Sequence, residues 1–243
     1  MTGYQNLFCQ EKIDESMAEA VQLVHKADMQ SDFKLYMESH SFFERLLSMD
    51  AENDLAKYYL AYLEYKLYQL KYANTKVDVD KYYDTALEYC KGLIDKKKYV
   101  SEAQTIMAGL YLMRLAANQM EAMSLFPKIE ELLTEAESAP ENNPRPFIVR
   151  GEMQFYTPEA FGGSVVKALE SFSKAVTLFE TGKKNEAINW GYEESLAWLG
   201  QAYAKNNLTD KARETYNKVL KLEPEYRWVK YVLLPALDKE KQN

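Results

Sequence analysis

The stretch that decides the fold runs Leu196-Ala-Trp-Leu199-Gly200-Gln-Ala-Tyr203, then a short polar turn, then Ala212-Arg-Glu-Thr-Tyr216-Asn-Lys-Val219-Leu220, and stops at Pro224. Its apolar residues recur three and four positions apart, which is the spacing of one helix face and not the alternation of a strand. Two helices joined by so short a turn lie antiparallel, since no other arrangement buries both apolar faces against each other. In the second helix a small residue, Ala212, is followed four positions later by the ring of Tyr216 and then by Val219. The small residue admits the partner helix, and the ring fills the space beside it. Pro224 falls just past the helix end, where its missing amide donor does least harm.

The same spacing recurs upstream. Ala168, Phe172, Ala175 and Val176 repeat it, as do Val79, Tyr83, Ala86 and Leu87, and more loosely Ser39, Phe43, Leu46 and Leu47. Such residues are expected to build the fold and not to touch a ligand. From about Glu11 onward the period predicts helices over 11–29, 31–49, 53–72, 78–96, 100–118, 120–138, 143–156, 163–181, 190–205, 208–221 and 225–238. These make five hairpins and a final helix. Asn143-Pro144 marks one break and Pro140 lies past another helix end, while caps are expected from Ser101 with Gln104, from Ser164, and from Thr209 or Asp210. With only 9 Gly and 7 Pro in 243 residues, a loop-rich sandwich or barrel is disfavoured.

Leu196, Leu199, Gly200, Tyr203, Ala212, Tyr216, Val219 and Pro224 fall on the spacing of the tetratricopeptide repeat, which this chain resembles, with Leu196 standing where the family has an aromatic residue. Gly109 and Gly151 are similar to the first-helix glycine of two further repeats. The resemblance is clear over residues 143–224 and partial over 31–142. It implies an all-α fold, a right-handed superhelical array of antiparallel helix hairpins forming one α-solenoid domain over 1–243. Residues 1–10 are expected to be a flexible N-terminus, and 225–243 a C-terminal capping helix and tail.

Composition narrows the function. A net charge of -7 disfavours a nucleic-acid partner, which needs clustered cations. The one dense basic run, Lys96-Lys97-Lys98, suits a solvated helix end. Cys9 and Cys90 are too few for a disulfide framework or zinc cluster. No stretch approaches the roughly 20 apolar residues of a membrane span; Ile106 to Ala117 is short and carries Arg114. The start, Met1-Thr2-Gly3-Tyr4, lacks secretory-signal features, so a cytoplasmic location is expected, or a periplasmic one if a leader has been removed.

Catalysis is not expected. His25 and His40 fall on different predicted helices, and His25 with Asp28 offers two ligands, short of a metal site. No phosphate loop or dinucleotide turn occurs, so no cofactor is expected. Pairs such as Glu130-Glu131 and Glu193-Glu194 are ordinary in acidic helices. The sequon Asn207-Leu208-Thr209 falls in a tight interhelical turn.

Two insertions break the repeat. Gly151 and Ala168 stand about five residues farther apart than Gly200 and Ala212, and the extra length contains Pro158, Phe161, Gly162, Gly163 and Ser164. A second insertion spans Thr181 to Trp190. Either is a longer turn or a recognition loop. The pattern Pro158-x-x-Phe161-Gly162-Gly163-Ser164-x-x-Lys167-Ala168 resembles bacterial tetratricopeptide proteins, many of them exported. It is also similar to the periplasmic repeat component of tripartite ATP-independent transporters, in which an acidic residue is typical where this chain has Ser164.

Family geometry implies that first helices line a concave groove, with Tyr58, Tyr62 and Tyr65, then Ile106, Leu110 and Met113, then Arg145, Glu152 and Phe155 facing it. That wall suits a protein or peptide partner. The three tyrosines either line it or are buried against the preceding helix pair. The cationic groove residues of carboxylate-binding members are replaced here by Tyr58, Tyr62, Met107 and Trp198. The expectation is a monomeric, non-catalytic binding scaffold; the alternative is a periplasmic transporter accessory or carrier of an apolar small ligand.

Overall fold

The structure, a computed structural model, describes residues 2–70, 80–182 and 187–240. Its helices are α1 (Thr2–Gln30), α2 (Phe33–Met49), α3 (Asp54–Gln69), α4 (Asp80–Asp95), α5 (Val100–Ala117), α6 (Ala122–Glu137), α7 (Arg145–Tyr156), α8 (Val165–Thr181), α9 (Tyr192–Lys205), α10 (Thr209–Leu222) and α11 (Leu234–Glu240). A π-helical turn, Val229–Leu233, leads into α11. No strand occurs among the described residues. Successive helices pack as hairpins, α1 on α2 through α9 on α10, and α3, α5, α7 and α9 also touch one another in turn. This is the stacking of a helical solenoid, in which each hairpin buries its face on its neighbours.

The repeated residues do what their spacing requires. Ala168, Phe172, Ala175, Ala212, Tyr216, Val219, Ser39, Phe43 and Leu46 are all buried, as are Tyr83, Ala86 and Leu87, while Val79 lies outside the described residues. Each buried ring contributes roughly 2–3 kcal/mol. Two pairs show how the hairpins close. A Cβ on Gly200 would stand 2.4 Å from the Tyr216 ring, and one on Gly151 would stand 2.4 Å from Phe172. The aromatic residue of the second helix therefore sits directly on the bare backbone of the first.

Local signals position the helix starts unevenly. Ser164 caps α8, accepting from the Lys167 amide at 3.3 Å, and Asp32 and Asn53 cap α2 and α3 in the same way. The expected capping box at Ser101 and Gln104 does not form. Instead α5 starts after Tyr99 in a left-handed conformation. Ser101 donates across to the Ala136 carbonyl at 3.0 Å, tying α5 to α6. At α10 the cap position is Leu208, with no side-chain cap bond, so neither Thr209 nor Asp210 serves there. The backbone is helical from Thr2 in α1; no proline interrupts that stretch.

Candidate functional site

The inner wall of the array begins at α3. Tyr58, Tyr59 and Tyr62 are wholly buried and Tyr65 nearly so. Phe43 of α2 stacks on Tyr59 from outside, at 4.9 Å between ring centroids. From inside, the wall is covered by the chain's own second insertion. Its residues 183–186 lie outside the described residues, but Ile188 and Trp190 are buried. The Trp190 ring stacks on Tyr62 at 4.5 Å, and its indole N–H donates to the Tyr58 hydroxyl oxygen at 2.6 Å.

Side chains hold that insertion by its backbone. Tyr59 OH donates to the Ala187 carbonyl at 2.7 Å. Arg145 donates through Nε to the Trp190 carbonyl at 3.0 Å and through Nη2 to the Ile188 carbonyl at 2.7 Å. Its third contact, Nη1 to Glu102 Oε1 at 2.9 Å, is a buried ion pair. Burial pushes the Glu102 carboxyl upward, with the Arg145 charge opposing. The forked guanidinium thus satisfies three acceptors that burial would otherwise strand.

The expected groove is therefore covered from within at Tyr58, Tyr62 and Arg145. Ile106, Leu110, Arg145, Glu152 and Phe155 are buried along with the three tyrosines, and Met113 alone of these nine is partly exposed. At these three residues the cover is the inward-turned insertion, whose indole gains more on a tyrosine face than in water. Tyr65 instead packs on Gly109 of α5, and Phe155 on Trp198 of α9. Partly exposed on the first helices are Met113 of α5 and, on α9, Glu194, Gln201 and Ala204. The Oε1 of Gln201 is itself buried and has no hydrogen-bond partner.

Beyond Trp190 the wall becomes polar. Tyr36 and Tyr62 hydroxyls donate to the two oxygens of Asp28, at 2.8 and 2.9 Å. Lys66 Nζ donates to both oxygens of Glu194, at 2.9 and 3.1 Å. Burial pushes Asp28 up to about 6, with the Lys66 charge opposing. Glu152 is pushed up to about 8, first by burial and then by the Glu194 charge, while Lys66 and the Trp198 indole pull the other way. That indole N–H lies near the carboxyl yet falls short of hydrogen-bond geometry with any acceptor.

A cavity of about 150 Å³ opens beside these groups, lined by Asp28, Tyr36, Lys66, Trp190, Glu194, Tyr226 and Trp228 among others. His25 of α1 meets Glu223, just after α10, at 2.9 Å. Residues from the first helix and from the C-terminal segment thus face one another across it. In the sequence Asp28 stands out only as a possible metal ligand beside His25, and Lys66 and Trp228 do not stand out as site residues. One signal for Lys66 was present: α3 is almost entirely apolar and aromatic from Tyr58 to Tyr68, so a cation within it needs an internal partner.

The first insertion takes a different course. Pro158 precedes a 3₁₀ turn, Glu159–Phe161, which closes at Gly162 with φ of 91°. The Ser164 amide donates to the Gln154 carbonyl at 2.9 Å. Gly163 is buried against Thr157, whereas Phe161 is 76% exposed and Tyr156, at the end of α7, is 62% exposed. Tyr156 packs edge-on against Trp198 at 5.7 Å, and Trp198 against Trp228 at 4.9 Å. An aromatic row therefore runs from the end of α7 to the cavity.

Residues 193–226 match the tetratricopeptide repeat. Among solved structures, the HusA haemophore from Porphyromonas gingivalis is similar in fold, with a TM-score of 0.66, 22% identity, and coverage of 79% of this chain and 93% of that one. A thermophilic TPR protein from Thermus thermophilus is similar too, with a TM-score of 0.64, 21% identity, and coverage of 93% and 98%. No curated protein matches the sequence. The chain contains a tetratricopeptide repeat at 193–226, set in a hairpin array with the fold of tetratricopeptide proteins.

Proposed function

We propose that this chain is a non-catalytic binding scaffold for a protein or peptide, and that contact is made at the cavity between α1, α3, α9 and the C-terminal segment. The observation that carries this reading is the self-filled groove. With Trp190 occupying the wall of α3, the partly exposed Glu194 of α9 lines the cavity together with the half-buried Trp228. The charged atoms there are already held by protein partners, as Asp28 is by two hydroxyls and Lys66 by Glu194, an arrangement suited to recognition at fixed geometry. Phe161 and Tyr156 extend the surface with an exposed apolar shoulder.

Panning a random peptide library on the immobilised protein tests this. Selected peptides are expected to share a motif and to lose binding to Trp228→Ala. Selection of no motif, or of peptides indifferent to that substitution, refutes the site. A second reading, a small-ligand carrier, is favoured by the cavity's aromatic lining. A structural neighbour is a haemophore, but a cavity of about 150 Å³ holds a group of roughly benzene size, well short of a macrocycle.

A further inference from the structure

The walls of the cavity select for charge. Asp28 and Glu194 line it, and Glu223 stands at its rim beside His25. Glu193, whose carboxyl burial pushes upward, feels both His25 and Glu223. Against these carboxylates stand the Lys66 ammonium and the His25 imidazole. Lys66 is held above its ordinary range although burial alone would lower it, because Glu194, Asp28 and Glu152 together outweigh the loss of water. Two carboxyl groups, Asp28 and Glu194, therefore face one ammonium, Lys66, in the cavity lining.

Aromatic faces reinforce that preference. Trp190, Trp228, Tyr36 and Tyr226 line the space. The Lys66 ammonium lies 6.0 Å from the ring centre of Trp190, so one of these lining faces already supports a cation. The volume, about 150 Å³, matches one compact head group.

We infer that this cavity is a binding site for a compact organic cation, an alkylammonium or guanidinium head seated against Asp28 and Glu194 between the rings of Trp190 and Trp228. The inference rests on the reading that the cavity is the binding end of the scaffold. The cation is either the side-chain head of a partner's lysine or arginine, or a free amine.

Tryptophan fluorescence and calorimetry at low salt decide the matter, using agmatine and n-butylamine as free cations, blocked Gly-Lys-Gly and Gly-Arg-Gly peptides as side-chain sources, and n-butanol as a neutral control. Saturable binding of at least one cation is expected, absent for butanol and weakened about tenfold by Asp28→Asn. Trp228→Ala, at a half-buried ring, provides a second variant in case the first fails to fold, with weakening of several-fold expected. Response to the free amines alone identifies a free amine as the ligand, and response to the blocked peptides alone a partner's side chain. Absence of saturable binding for every cation, equal binding of butanol, or indifference to the folded variants overturns the inference. Library peptides that need Trp228 but carry no lysine or arginine would leave the scaffold reading standing and remove the cation.

Discussion

Trp190 and Tyr58 are joined by a 2.6 Å hydrogen bond from indole to hydroxyl across 132 residues of sequence. The contact fastens the second insertion onto the wall of α3, and the same indole stacks on Tyr62. Tyr58→Phe leaves a buried indole N–H without its acceptor and is expected to cost about 1–3 kcal/mol. Trp190→Ala removes the whole ring and should cost about 3–5 kcal/mol. Urea denaturation measures both. If neither midpoint moves, the insertion does not belong to the folded core.

Arg145 serves three acceptors from one fork, which makes its replacement by lysine a sharp test. Arg145→Lys keeps the charge beside Glu102 but cannot reach the Ile188 and Trp190 carbonyls together. A loss of about 2–4 kcal/mol is expected, approaching that of Arg145→Gln, in which Glu102 is left buried without a cation. Near-parental stability of the lysine variant in denaturant titrations would mean that charge alone matters here.

The helical array was legible because each hairpin repeats a local pattern. Gly200 with Tyr216 and Gly151 with Phe172 lie in adjacent helices, so their spacing fixes their contact. The site was legible only in part. The sequence shows that residues 181–190 are extra, but whether they loop outward or fold inward depends on the faces they meet, namely Tyr58, Tyr62 and Arg145. Asp28 draws its partners from α2 and α3, and His25 meets Glu223 from the far end of the chain. No spacing rule relates such residues, because the curvature of the stacked hairpins brings them together.

The glycine contacts lead to a paired prediction. Gly200→Ala drives a methyl into the Tyr216 ring and Gly151→Ala drives one into Phe172, each expected to cost about 1–3 kcal/mol. Combining Gly200→Ala with Tyr216→Leu should cost less than the sum of the two single changes, since the smaller side chain leaves room for the methyl. Strict additivity in the thermodynamic cycle would show that ring and backbone are not in contact.

Glu152 makes the stability of the fold depend on pH in an unusual direction. Its folded value of about 8 lies above the ordinary 4.5, so the folded protein holds this proton more tightly than the unfolded chain does. The stabilisation is complete below about pH 4.5 and is lost as pH rises through about 8. Asp28, at about 6, acts in the same sense over a lower window. Each contributes a slope of up to about 1.4 kcal/mol per pH unit within its window. Glu194 and Lys66, the charged groups that face Glu152 most strongly, set opposite influences on it, and Glu194 outweighs Lys66. Glu152→Gln keeps the shape and removes the ionisation. Its unfolding free energy should therefore decline less than the parent's between about pH 5 and pH 8, and the variant should be the more stable of the two at about pH 9. Denaturant titrations across that range give the comparison, and parallel curves for the two proteins would place the Glu152 carboxyl at an ordinary pKa.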